Sequence, residues 1–208
     1  KELIKALRTV TGIRDYYSKN SSDFGRPCCV STRDLIDVCE RYVGEKIQIF
    51  TGEYGPLHSK SHFETAYLRS DNLHRIWFSP RLDKPWLRYA IAKELMHVVL
   101  SCPEFRSLEV AETRESYVKY YLEQGVRPGL IRTSTSDSAA AKTLTSSALA
   151  EGLAQVAAME FHLPYASRLG HKNISDQCVA ELYELPVELI AKFRSPSMMT
   201  ALDITSED

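Results

Sequence analysis

No stretch of the 208-residue chain approaches the roughly 18 consecutive apolar residues of a membrane-spanning helix, so a helical integral membrane protein is not expected. The first residues, Lys-Glu-Leu-Ile-Lys-Ala-Leu-Arg, offer no apolar h-region for secretion, and the chain reads as soluble and cytoplasmic. Neither sign of charge is in surplus. Lys and Arg number 26 against 27 Asp and Glu, a formal net of -1, which argues against a fold organised around nucleic-acid phosphates. Cysteine is sparse: Cys28, Cys29, Cys39, Cys102 and Cys178 make an odd count of 5 without a CxxC pair. That pattern fits reduced thiols better than a disulfide framework or a structural zinc site. Nothing charged flanks the vicinal Cys28-Cys29 pair in a way that would depress a thiol pKa, so a redox role is not expected of it. There is no internal repeat. Lys1 rather than Met opens the chain, as expected of a processed or trimmed one.

The composition that remains, 44% hydrophobic, suits one compact domain. Leu3, Ile4, Leu7, Val10, Ile13 and Tyr17 recur at spacings of three and four and predict an amphipathic helix over residues 2–19. Residues 20–27 hold Asn, Ser, Asp, Gly and Pro and read as a loop. After it, Ser31 or Thr32 can cap a second helix that runs to Tyr42 and ends at Gly44. Three short strands are predicted at residues 46–50, 63–69 and 74–79, forming a small antiparallel sheet. Helices are then expected over about residues 84–101, 108–124 and 147–161, with a short helical pair at 175–183 and 186–193. Residues 133–147, rich in Ser, Thr and Ala, read as partly disordered. The expected organisation is one α+β domain over residues 1–194, with 108–147 inserted and 195–208 a polar tail.

The most informative gap is a single side chain. Residues 93–97 read Lys-Glu-Leu-Met-His inside the predicted helix, where a zinc peptidase would carry HExxH. In the intact motif two histidines four apart bind the metal and the glutamate serves as general base toward the zinc-bound water. Glu94 and His97 keep these places; Lys93 stands where the first histidine would be. An ammonium has three donors and no lone pair at neutral pH, and it repels a divalent cation.

A second segment gives this one a context. Residues 151–164, Glu-Gly-Leu-Ala-Gln-Val-Ala-Ala-Met-Glu-Phe-His-Leu-Pro, resemble the ExxAxxFAxxLLMP helix of the ImmA/IrrE family of metallopeptidases. The strand Ile76-Trp77-Phe78-Ser79 leading through Arg88 into the motif helix is also similar to that family, as are residues 32–50 and 176–193. The resemblance implies a zincin-like domain in which the motif helix crosses an ExxA-type helix. It implies His97 and Glu151 as the surviving metal ligands and Glu94 as the surviving base. It also implies bacterial or phage-borne proteins that partner, and in active members cleave, helix-turn-helix repressors. Residues 108–147 lengthen the span between His97 and Glu151 and look like an insertion.

With Lys93 and His97 as helical neighbours, the economical expectation is an ammonium paired with Glu151 and Glu94 in place of zinc. The chain is then a catalytically lapsed, metal-free member that binds a protein partner such as a repressor or another regulator of a mobile element. The alternative is an active zinc endopeptidase in which His97 and Glu151 are joined by Glu94, His58, His62, His74 or His162. A third reading, a DNA-contacting regulator, rests on the C-terminal helical pair. Its second helix offers only Lys192 and Arg194 as basic groups and carries Glu188. Trp86, Tyr89 and Tyr120-Tyr121, at helical spacings, are expected in the core or at an interface.

Overall fold

Ser31 shows how locally the chain is specified. Its Oγ accepts from Asp34 N at 3.1 Å and starts helix α2, Thr32–Val43. Gly44 ends that helix at φ 72°, a left-handed conformation glycine adopts without cost, and donates its N–H to the Glu40 carbonyl at 2.8 Å. The computed structural model describes residues 2–20, 31–51, 65–70, 73–78, 80, 82–100 and 151–206. The predicted helix at 108–124, the 133–147 loop, His58, His62, Cys28, Cys29, Cys102 and Tyr120-Tyr121 lie outside the described residues.

Helix α1, Glu2–Asn20, buries Ala6, Val10 and Ile13 along one face, as its periodicity predicts. Three strands follow: β1 (Lys46–Thr51), β2 (Thr65–Ser70) and β3 (Leu73–Phe78). They form one sheet in the order β1-β3-β2, but it is mixed and not antiparallel. Only two residues, Asp71 and Asn72, separate β2 from β3, and that pair is antiparallel. β1 instead pairs with β3 in parallel, Ile49 opposite Ile76. The chain from β1 to β3 spans residues 52–72, long enough for the crossover that parallel pairing needs. β3 thus enters between its two partners. Glu40 of α2 fastens the near edge, its Oε1 accepting from Ile47 N at 2.8 Å.

Helix α3, Lys84–Leu100, starts where the Asp83 carboxylate accepts from Trp86 N at 3.0 Å. The sequence suggests a single apolar face of Trp86, Leu87, Ala90, Ile91, Leu95, Val98 and Val99. In the fold, every residue from Tyr89 to Val99 except Lys93 is buried. α3 is a central helix packed against α2, β2 and β3, so burial surrounds it and even Glu94 is drawn in. Residues 151–162 are helical and form α4, with Ala154, Ala157 and Ala158 fully buried. Their small side chains allow the close approach to α3 that the ion pairs below require.

Helix α5, Tyr165–Gly170, is an element that the sequence reading passes over. Glu160 builds it: one carboxylate oxygen accepts from Tyr165 N at 2.7 Å and the other from the buried Arg168 at 2.6 Å. The expected helical pair is present as α6, Asp176–Tyr183, and α7, Val187–Phe193. Ser175 caps α6, and Glu184 ends it at φ 51°. The expected polar tail is instead helix α8, Pro196–Ser206, packed against α1 and α7. Leu202 is 3% exposed and Met198 packs on the core, an apolar pair that a reading of the segment by its Ser, Thr and Asp content overlooks. The broad α+β class stands, with helices around a small sheet. Leu202→Ala is expected to lower unfolding free energy by about 2–4 kcal/mol in urea titrations; a change under about 0.5 kcal/mol would return residues 196–206 to the status of a tail.

Candidate functional site

α3 and α4 bring the four sequence-selected residues together. Lys93 and His97 are one turn apart on α3, and Glu151 sits in the first described turn of α4. The Lys93 Nζ donates to Glu151 Oε1 at 2.8 Å and stands 3.0 Å from Glu94 Oε1. His97 Nε2 lies 2.9 Å from Glu151 Oε2, so the Glu151 carboxylate is gripped at both oxygens from the same helix. Adjacent positions on a helix do not face one another, and the Lys93–Glu94 contact exists because the four-carbon lysine stem can bend back.

Burial is graded across this cluster, and it decides the electrostatics. The Glu94 side chain is 5% exposed and Lys93 17%, whereas Glu151 is 42% exposed and opens the site to solvent. Burial works against the Lys93 charge, but Glu94 and Glu151 outweigh it by attraction and hydrogen bonding, and its pKa is raised. Burial likewise opposes the Glu151 charge. The hydrogen bond from His97 and the field and hydrogen bond of Lys93 prevail, holding its carboxyl well below the usual range. Both groups are therefore charged at neutral pH. Tyr89, one turn before Lys93, has its phenol pKa raised by burial first and then by Glu151 and Glu94, so it stays protonated.

Three residues that sequence reasoning did not assign to the site belong beside it. Tyr89 was expected only in core or interface. Gln155, one turn after Glu151, donates its amide to Glu151 Oε1 at 3.3 Å. Lys192 of α7 donates to the other end of that amide at 3.4 Å, so a chain of polar contacts runs from α7 to Glu151. The signal was the same four-residue spacing that pairs Lys93 with His97, applied to Tyr89 and to Gln155.

A zinc site here would need a third protein ligand beside His97 and Glu151. Among the described residues no three His, Cys, Asp or Glu side chains are arranged to hold a metal ion. Of the auxiliary ligands considered, His74 is engaged elsewhere, its Nε2 2.7 Å from Glu45 beside β3. His162 is buried at the end of α4, its ring edge-on to Phe161. Its pKa is lowered to about 3, by burial first and then by the charge of Arg88, with a hydrogen bond to the Arg88 backbone opposing and Arg14 adding to the fall. On α7, the helix on which the DNA-contacting reading rests, Ile190 and Phe193 are buried, Glu188 and Lys192 are exposed, Lys192 donates to Gln155, and Arg194 pairs with Asp176.

No family model matches the chain, and neither a curated protein nor a solved structure does. Among the described residues no helix is long and apolar enough to cross a membrane.

Two consequences can be measured. Lys93→Met leaves Glu94 buried without its ammonium and is expected to cost about 1–3 kcal/mol at pH 7, between the values of exposed and fully buried pairs because Glu151 reaches solvent. With the Glu151 pKa depressed and the Lys93 pKa raised, the stabilisation is full between roughly pH 4.5 and 10, fading as pH falls below the first limit or rises past the second. Urea titrations of both proteins across that range test it, and equal midpoints at pH 7 would refute the pairing. His162 behaves oppositely to a paired histidine: its folded pKa lies below the unfolded value, so stability is full above about pH 6.5 and is lost as pH falls toward 3. His162→Gln is expected to flatten that part of the acid limb; an unchanged slope would place the acid sensitivity elsewhere.

Proposed function

We propose that this chain is a lapsed relative of zinc peptidases of the ImmA/IrrE kind, a zincin-like frame whose metal has been replaced by the Lys93 ammonium and which acts by binding a protein. The observation that carries the reading is the shared ion pair, with one ammonium 2.8 Å from Glu151 and 3.0 Å from Glu94. In an HExxH site the glutamate must be available to take a proton from the metal-bound water. Here the Glu94 carboxylate is buried and occupied by the Lys93 ammonium 3.0 Å away, not by a metal-bound water. An ammonium supplies charge but has no vacant coordination position, so it neither activates water nor polarises a scissile carbonyl as a Lewis acid.

A scaffold that retains its inward carboxylates without hydrolytic chemistry retains surfaces. The partner proposed is a transcriptional repressor or another regulator of a mobile element, which the sequence resemblance supports. Direct DNA contact is disfavoured by the balanced charge and the acidic first turn of α7.

Metal uptake separates this reading from an altered-ligand zinc enzyme. The purified protein dialysed against zinc is expected to retain less than about a tenth of an equivalent by elemental analysis, because three ligands are needed for a tight site. Lys93→His, which restores a second imidazole beside His97 and Glu151, is expected to take up close to one equivalent and to lose it again in Lys93→His with Glu151→Gln. One equivalent of zinc in the unaltered protein would overturn the proposal.

A further inference from the structure

A groove of about 460 Å³ lies where the start of α3 meets the corner between α6 and α7, away from the Lys93 cluster. Lys93 lies nine positions after Lys84, roughly 13 Å along the helix axis. The floor is apolar, formed by Pro85, Trp86, Ala180, Leu185, Pro186 and Val187, and its volume lies in the range that accepts a small ligand or a few side chains. The rim is acidic: Asp83, Glu181, Glu184 and Glu188 stand against Lys84 alone.

The groove is built before anything enters it. Glu184 holds the corner in a left-handed conformation at φ 51°, and the Leu185 N–H closes the turn on the Ala180 carbonyl at 3.0 Å. Lys84 Nζ binds Glu184 at 2.7 Å and Arg88 approaches it at 3.6 Å, tying α3 to the corner. Trp86 is braced edge-on by Tyr89, their ring centroids 6.3 Å apart. Asp83 caps α3 and Glu184 is paired with Lys84, while Glu181, which accepts from the Gln177 amide at 2.8 Å, and Glu188 stand exposed at the rim without a cation beside them in the groove lining.

We infer that this groove is a docking site for a segment of a partner protein that carries an apolar anchor flanked by Lys or Arg. The charge arrangement selects that chemistry. Apolar side chains fill a floor centred on an indole, the kind of anchor contact that dominates binding energy, while flanking cations meet Glu181 and Glu188 and steer the encounter. An acidic peptide or a nucleic acid would meet like charge. The inference rests on the binding role proposed above and supplies it with a surface.

The test uses the intact chain and a synthetic peptide with two leucines flanked by arginines, with the same peptide carrying glutamates as control. Binding is read by Trp emission and by calorimetry. The basic peptide is expected to bind with a Kd on the order of 10–100 µM at low salt, and the acidic one not at all. Glu181→Lys with Glu188→Lys should weaken binding about ten-fold or more, as should raising the salt to about 0.5 M, while Asp37→Lys on the exposed face of α2 should leave it within about two-fold. Binding of neither peptide, equal binding of both, or indifference to the rim substitutions would overturn the inference. So would sedimentation showing that the groove is filled by a second copy of the chain. Zinc uptake by Lys93→His reports on the other site alone, so failure here and failure of the lapsed-peptidase reading are separable.

Discussion

A buried carboxylate on α3 needs a positive centre, and Lys93 supplies one that it shares with the half-exposed Glu151 of α4. Glu94 is almost fully buried in α3, and Glu151 faces it from α4. A buried carboxylate without a partner would either neutralise itself or expel the helix that carries it. One ammonium placed between them satisfies both, and His97 completes the set by holding the second oxygen of Glu151. The α3–α4 junction is thus an electrostatic seam within an apolar core.

The rest of the structure is consistent with keeping that seam closed. α3 is buried from Tyr89 to Val99 except at Lys93, buried alanines of α4 belong to the same core, and Lys93 bridges the two helices. Arg14 of α1 donates to the Phe161 carbonyl at 2.6 Å, satisfying the C-terminal end of α4, whose last carbonyls have no partner within the helix. Gln155 links Glu151 outward to Lys192 on α7, and α7 in turn packs against α6 and α8. The C-terminal helices are therefore connected to the centre through two polar contacts and a shared core.

Local signals were legible in the sequence wherever one residue decides the outcome. Ser31 and Gly44 were readable as the ends of α2 because capping chemistry is local, and the structure adds Ser175 and Asp83 as caps of the same kind. Signals that depend on the remainder of the chain were not. Which strand sits beside which depends on the route taken by residues 52–72, and local alternation carries no information about that route. α3 was readable as a helix but not as a fully buried one, since burial on its polar side depends on α4. α8 was hidden by its Ser and Thr content, though Met198 and Leu202 have helical spacing. At the site, the motif spacing placed Lys93, Glu94 and His97, and the resemblance supplied Glu151. Gln155 and Tyr89 needed the same spacing rule applied once more on each helix.

In the proposed reading, the carboxylates beside Lys93 distinguish the present site from a zinc centre. Zinc with two imidazoles and a carboxylate leaves a coordination position open, and its protein ligands are placed around water and substrate. A lysine bonds only through the protons it donates, and at Lys93 two are directed to carboxylates of the protein itself. The same four positions can hold either arrangement, but only the first leaves room for a reactant at the centre. If a later apolar substitution at 93 were accompanied by loss of charge at 94 and 151, the junction could be at least as stable, since buried ion pairs are often no better than well-packed apolar groups. The charges are therefore better understood as a constraint on which replacements are tolerated one at a time: removing Lys93 alone takes the ammonium from the buried Glu94, and removing Glu151 alone takes from Lys93 and His97 the carboxylate they share, leaving the lysine its contact with Glu94. A cluster locked in that way holds α3 and α4 in fixed register. A fixed register is what the docking groove proposed at the far end of α3 would require.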